Sequence, residues 1–260
     1  MKALFIGDIV GSPGREALAA LLPELKKEFG IEICVANAEN ASGGAGITPR
    51  IADELFSAGI DVLTSGDHTW DRREVVEYLD KTPLLLRPAN YAEGAPGFGS
   101  CVIEKNGKQL GVLVLQGRVF MPPVVDSPFS VVGALIASLR SQTPCIIVDM
   151  HAEATSEKVA MGHFLDGKVS AVVGTHTHIQ TADEKILPEG TAYITDVGMA
   201  GPCDSVIGQR KDRIIEKFVT GLPVRFEVAS DDVQVQGVVL DVDENTGKTR
   251  SIQRIQRGLK

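Results

Sequence analysis

The sequence predicts an α/β protein in which two sheets stack as a sandwich, rather than a single doubly wound sheet. Three observations carry this. Short β-branched runs alternate with helical patterns through most of the chain, an Asn106-Gly107 pair sits between two apolar runs as a hairpin signal, and the chain closes on a stretch that reads as strands alone.

Taken in order, strands are expected at Lys2–Gly7, Glu32–Ala36, Asp61–Ser65, Leu84–Arg87, Cys145–Met150 and Ser170–Gly174, each a short apolar run bounded by turn residues. Helices are expected between them, at about Pro13–Phe29, Pro49–Ala58, Arg72–Asp80, Phe129–Ser141 and Ser156–Leu165. Thr48 before Pro49, and Thr155 or Ser156 before Glu157, are the N-terminal start signals. The hairpin occupies Gly99–Leu115, and the closing strands are Val224–Ala229, Val233–Val242 and Thr249–Ile255. With no internal repeat, low-complexity stretch or linker, residues 1–260 read as one domain.

Composition limits what such a domain can do. The chain has 260 residues, 26 Lys+Arg against 34 Asp+Glu and a formal net charge of −8. That balance argues against wrapping duplex nucleic acid, which needs a basic face, while a small nucleotide held through metal remains allowed. No apolar run approaches the roughly 20 residues that span a bilayer, and the run Ala3–Ile6 stops at Gly7-Asp8, far short of a signal sequence. The 4 cysteines, Cys34, Cys101, Cys145 and Cys203, are scattered without a CxxC pair and are expected as buried thiols in a reducing cytoplasm.

The residues immediately behind the strands are the informative ones. The first strand runs into Asp8, the second into Glu39 and Asn40, the third into Asp67 and His68, the fifth into His151, and the sixth into His176 and His178. The carboxyl ends of parallel strands lie along one edge, where sites are usually built, so these residues are expected to converge. Of the 5 histidines, only His163 lies elsewhere. Taken alone, Asp8 is as readily an N-cap, His151 is more often a hydrogen-bonded core histidine, and His176-x-His178 is a moderate signal that two imidazoles share a face. The coincidence of five strand ends favours a site. Its mixture of carboxylate, amide and imidazole suits manganese, iron or zinc better than magnesium or calcium.

Other motifs weigh less. Gly43-Gly44-Ala45-Gly46 lacks the Lys-Ser/Thr of a phosphate loop and reads first as a flexible loop. Arg15, Arg87 and Arg118 are candidate anion clamps with structural roles at least as well supported, and Trp70 reads as a packing residue.

The residues Gly7-Asp8, Gly66-Asp67-His68, His151 and Gly174-Thr175-His176-Thr177-His178 resemble, in order, the motif series of calcineurin-like metallophosphoesterases. The longer stretches Phe5–Gly14, Ala38–Asn40, His68–Asp71, Arg87–Asn90, His151–Lys158 and Thr195–Met199 resemble the YmdB-like bacterial phosphodiesterases, over roughly Met1 to Phe218. The resemblance implies a four-layer αββα sandwich carrying two metal ions, iron or manganese foremost with zinc next. The implied activity is hydrolysis of cyclic nucleotides, 2′,3′-cyclic ones above all and 3′,5′-cyclic ones as a further class. By the family pattern Asp8, Glu39, Asn40 and His178 serve one metal, Glu39 bridges to a second held by Asp67, His151 and His176, and His68 is the catalytic proton donor. A hydroxide bridging the metals would attack phosphorus. The same resemblance implies a homo-oligomer and leaves room for a regulatory protein or RNA partner.

One position departs from the family. Its motif usually reads Gly-Asn-His, whereas Asp67 stands here, which adds a third carboxylate and lowers the net charge of a dinuclear site from about +2 to about +1. Two other readings remain open at this stage. A metal-dependent amidohydrolase would explain His-x-His, though there it comes after an early strand and Glu39-Asn40 would go unexplained. A regulatory scaffold with structural metal would keep the ligands without turnover.

Overall fold

The computed structural model describes residues 1–259. In chain order the elements are β1 (Lys2–Ile6), β2 (Asp8–Ile9), α1 (Gly11–Phe29), β3 (Ile33–Asn37), α2 (Pro49–Ser57), β4 (Val62–Thr64), α3 (Val75–Leu79) and β5 (Leu85–Leu86). Next come β6 (Ser100–Lys105), β7 (Lys108–Gln116), α4 (Pro128–Arg140), β8 (Ile146–His151), α5 (Thr155–Phe164) and β9 (Ala171–Thr175). The chain closes with β10 (Lys185–Ile186), β11 (Ala192–Ile194), β12 (Met199–Pro202), α6 (Lys211–Thr220), β13 (Val233–Val242) and β14 (Thr249–Gly258).

Two sheets result. The first has the order β2-β12-β13-β1-β3-β4-β5, with β14 on the far side of β13, and the second the order β10-β11-β9-β8-β7-β6. β1, β3, β4 and β5 run parallel, as do β7, β8, β9 and β11. The Asn106-Gly107 turn joins β6 to β7 with both residues at positive φ, as a two-residue hairpin requires.

Alternation along the strands assigns the layers. In β1, Ala3 and Phe5 point between the sheets, where they meet Val112, Val114, Ile147 and Val173 of the second sheet. Leu4 and Ile6 point outward onto Leu18, Leu22 and Leu25 of α1 and onto Ile51 and Leu55 of α2. Leu113, Leu115, Val148 and Met150 form the outer face of the second sheet, covered by Val132, Ile136 and Leu139 of α4 and Met161 of α5. The order is therefore helix, sheet, sheet, helix, the four-layer αββα sandwich of the calcineurin-like fold. No helix among the described residues is long and apolar enough to cross a membrane.

Local chemistry sets the helix ends. Thr48 caps α2 as expected, its hydroxyl accepting from Ile51 N–H at 3.3 Å with Pro49 in the first turn. α1 ends on Gly30 in the left-handed region, whose N–H returns to the Lys26 carbonyl.

Several expectations need correction. Val224–Ala229 is not a strand: only Val228 makes an isolated bridge, to Gln209, because this segment's partner is a loop rather than a sheet edge. α5 starts at Thr155 behind Ala154, which has no side chain to cap it, so neither Thr155 nor Ser156 is the cap. Asp8 caps nothing either, since Val10 precedes α1. The helix expected at Arg72–Asp80 shrinks to Val75–Leu79. Cys34 and Cys145 are buried, whereas Cys101 and Cys203 are only half-buried; all four are unpaired. α6, with Ile214 as its only buried residue, was not anticipated.

Candidate metal centre

The carboxyl ends of β1, β3 and β4 from one sheet and of β8 and β9 from the other meet at one edge of the sandwich. Asp8 lies in β2 just beyond β1, Glu39 and Asn40 come after β3, Asp67 and His68 after β4, His151 ends β8, and His176 and His178 come after β9. The convergence expected from the sequence is therefore real, and it draws on both sheets. His163 sits apart, exposed on α5.

Glu39, Asp67, His151 and His176 each offer one ligand atom to a group whose atoms all lie within 4.8 Å of one another. At its centre, His151 Nε2 is 3.1 Å from each of Glu39 Oε2, Asp67 Oδ1 and His176 Nδ1. Beside it, His178 Nε2 faces Asn40 Oδ1 at 3.2 Å and Asp8 Oδ1 at 3.8 Å, and Asp8 Oδ1 also lies 4.0 Å from His151 Nδ1. His178 Nδ1 donates to the Ile207 carbonyl at 2.9 Å, which leaves the Nε2 lone pair aimed at those two oxygens. Asp8 Oδ1 is buried and has no hydrogen-bond partner. An orphaned carboxylate oxygen flanked by an imidazole lone pair and an amide oxygen is an arrangement that a cation satisfies. The donor set fits a metal.

Electrostatics agree. Burial pushes the Asp8 carboxyl above its usual range, although His178 and His151 pull the other way. Burial also works against ionised Glu39 and Asp67, but His151, joined for Asp67 by His176, outweighs it and holds both low. The counterpart is His151, which burial would keep neutral but which Glu39, Asp67 and Asp8 drive well above the usual histidine value. These acceptors pull positive charge into the site.

A supporting set escaped the sequence reading. Thr175 Oγ1 donates to Asp149 Oδ1 at 2.6 Å, so it can only accept from His151 Nδ1 at 2.8 Å, which turns Nε2 toward the cluster. Asp149 is held by Thr64 as well, at 2.6 Å, and burial lifts its carboxyl to about 6. Asn37 donates to the same carboxylate at 3.2 Å. Glu153 Oε2 lies 3.2 Å from His176 Nε2, on the side of that ring away from His151. The legible signal was Asp149, a carboxylate inside an apolar strand and two residues from His151, hence on the same face. Gly66 is required by close approach: a Cβ there would collide with the His151 ring and the Glu39 carboxylate. His176 and His178 hold positive φ, 93° and 62°, which non-glycine residues keep only where the surroundings enforce it.

His68 stands at the rim with its side chain 37% exposed. Its Nδ1 bonds Asp71 Oδ2 at 2.9 Å, and its Nε2 is 3.9 Å from Asp67 Oδ2. Burial disfavours its charged form, yet Glu39, Asp67 and Asp71 together raise its pKa above the usual value. The site opens into a cleft of about 570 Å³ lined by Glu39, His68, His176, His178, Ile207 and Phe226.

The weaker motifs resolve as structure. The Gly43–Gly46 segment borders this cleft but is not a free loop, since Arg72 donates to the Ser42 and Ala45 carbonyls and Asn40 to that of Gly44. Arg87 is spent on the carbonyls of Pro88, Ala95 and Pro96, and Arg15 on Ala41 and Glu54. Arg118 lies against Glu157 away from the cleft, and Trp70 packs on Tyr91.

Comparison with known proteins agrees with this architecture. A Bacillus subtilis (strain 168) protein described as a 2′,3′-cyclic-nucleotide 2′-phosphodiesterase is 51% identical over 255 residues, covering 98% of this chain and 96% of its own. A crystal structure of a phosphatase from Mycoplasma pneumoniae superposes with a TM-score of 0.93 at 37% identity, covering 99% of this chain and 93% of that one. A putative 5′-nucleotidase from Staphylococcus aureus shares the fold alone, with a TM-score of 0.64 at 14% identity over 100% of this chain and 55% of that one. The sequence model described as YmdB-like protein matches residues 4–255, and the chain belongs to that family.

Proposed function

We propose that this chain is a metal-dependent phosphodiesterase acting on nucleoside 2′,3′-cyclic phosphates. Asp8, Asn40 and His178 would hold one ion, Asp67, His151 and His176 a second, with Glu39 shared between them. The observation that carries this reading is the meeting, at strand ends from both sheets, of acceptor atoms whose only cationic partners among the described residues are their own imidazoles. The Bacillus relative, named for this activity, supports the substrate class. The mixture of carboxylate, amide and imidazole donors favours iron or manganese, with zinc next.

When bound, such ions neutralise phosphate charge and make water nucleophilic at neutral pH. The chain's own residues do the rest. Opening the cyclic phosphate expels a ribose oxygen that needs a proton, and His68 is placed to give one. Its Nδ1 is engaged by Asp71, so Nε2 is the atom left to face the cleft. The three carboxylates around His68 favour its protonated form. Ile207 and Phe226 supply apolar walls for the nucleoside, in a cleft whose volume suits a mononucleotide. Thr175 fixes the ring of His151, so that ligand needs little rearrangement on loading. One domain spans the chain in this reading, because β1 and β14 belong to the same sheet. The four unpaired cysteines support a reducing, cytoplasmic setting.

The direct test is hydrolysis of 2′,3′-cyclic AMP by protein reconstituted with manganese or iron, beside a chelated sample. Metal-dependent turnover is expected; a metal-loaded protein inert toward this and other phosphoesters would overturn the assignment in favour of a scaffold.

A further inference from the structure

Two stretches singled out in the sequence, His151–Lys158 and Thr195–Met199, contain a pair that takes no direct part in the ligand cluster. Lys158 and Asp196 are both wholly buried and lie 2.8 Å apart. A buried ion pair is a poor source of net stability, because desolvating two charges offsets their attraction. Where its hydrogen bonds go is therefore the informative question.

They go to the backbone that carries the metal-type ligands. Asp196 Oδ2 accepts from the N–H of Thr177 at 3.1 Å and from its hydroxyl at 2.6 Å. Thr177 is the residue between His176 and His178, both held at positive φ. The other oxygen, Oδ1, accepts from Gly198 N–H at 2.8 Å, and the Gly198 carbonyl accepts from Asp8 N–H at 3.1 Å. Asp8 Oδ2 in turn accepts from His176 N–H at 3.1 Å. These bonds close a ring running from Asp8 through Gly198, Asp196 and Thr177 to His176 and back to Asp8. Lys158 reaches it from α5 because Gly174 leaves room: a Cβ at that position would collide with the Thr195 carbonyl and the lysine stem.

We propose that the Lys158–Asp196 pair is a positioning device for the metal centre, clamping the His176-Thr177-His178 turn against Asp8. Lys158 neutralises Asp196 in a dry interior, which lets one carboxylate hold two ligand-bearing segments at a fixed separation. The strained backbone at both histidines is stabilised by this clamp, and with it the spacing among the His176 and His178 rings and the Asp8 carboxylate. The inference rests on the reading of the site as a metal centre; Lys158 and Asp196 are buried behind the cleft, and Thr177 borders it, so metal affinity rather than turnover is the readout.

The test is Mn(II) titration calorimetry on chelator-stripped protein, with the absorption spectrum of the Co(II)-loaded form as a report on ligand geometry. Thr177→Val removes the hydroxyl's bonds to Asp196 and Lys158 but keeps the backbone bond to Asp196 and the Lys158–Asp196 pair, so it is expected to melt near the wild-type temperature and to bind Mn(II) about tenfold more weakly, with an altered Co(II) spectrum. Thr177→Ser keeps the hydroxyl and should restore both. Lys158→Met combined with Asp196→Asn removes both buried charges together and should weaken Mn(II) binding by up to about 100-fold. If the double variant does not fold, the Thr177 pair decides the matter. Wild-type affinity and spectrum in folded Thr177→Val would overturn the clamp. Absence of Mn(II) binding by the wild-type protein would instead overturn the metal-centre reading on which it rests.

Discussion

Replacing Asp71 by asparagine tests His68 as proton donor without touching a metal-type ligand. Asp71 Oδ2 is 2.9 Å from His68 Nδ1, and the two side chains are 45% and 37% exposed. Two unit charges at that separation in bulk water interact by about 1.4 kcal/mol, and measured exposed pairs yield about 0.2–1 kcal/mol after screening and side-chain ordering. At about 1.4 kcal/mol per pKa unit, neutralising Asp71 should lower the His68 pKa by roughly 0.2–0.7. The sign comes from the role. A general acid works protonated, so the rate falls as pH rises through its pKa, and lowering that pKa moves the alkaline limb to lower pH. The assay is the pH profile of kcat on 2′,3′-cyclic AMP, beside a p-nitrophenyl phosphodiester whose leaving group needs no proton. The Asp71→Asn limb should move only with the cyclic nucleotide. An unmoved limb, or the same change with both substrates, would refute the reasoning.

Three further outcomes are expected. His68→Ala should cut turnover of the cyclic nucleotide by about 10²–10⁴ while metal per chain, read by elemental analysis, stays at the wild-type value; lost metal would make His68 a ligand instead. Asp67→Asn removes one of three carboxylates and should weaken divalent-metal binding by about tenfold while moving the pH optimum down, so an unchanged metal preference and optimum would count against the charge argument. In chelated protein, His151 has a raised pKa despite burial because Glu39, Asp67 and Asp8 surround it. Its stabilising contribution is then complete below the unfolded histidine value of about 6.5 and is lost as pH rises through the folded value. The chelated protein should therefore melt at higher temperature near pH 6 than near pH 9, and a scanning-calorimetry series without that fall would argue against the assignment.

The parallel core of the fold was legible because β1, β3, β4, β8 and β9 are short, largely apolar runs with an acidic residue or a histidine at the end or within three residues behind it. The same rule exposed Asp8, Glu39, Asn40, Asp67, His151, His176 and His178. Two kinds of information were out of reach. Non-local pairing is one: β13 joins β1 antiparallel, Phe5 opposite Val238, and nothing in either segment's periodicity names the other. The marginal elements are the second kind. α6 buries only Ile214, so it carries no apolar stripe, while Val224–Ala229 has strand-like residues but no sheet edge to pair with. Backbone strain at His176 and His178 is likewise invisible in sequence, because it is imposed by Asp196 and Asp8 from far along the chain.

The placement of β13 has a temporal consequence. β12 and β1 lie along one side of it, β12 against Val233–Val235 and β1 against Gly237–Asp241, with β14 along the other side. On a translating ribosome β1 emerges well before the strand that closes its edge, and Asp8 takes its backbone bond from Gly198, next to β12. Until then the first metal-type ligand of the sequence hangs on an unfinished sheet. The proposed site therefore owes the placement of its first residue to strands made near the end of synthesis, and the order of the ligands along the chain is not the order in which the site is completed.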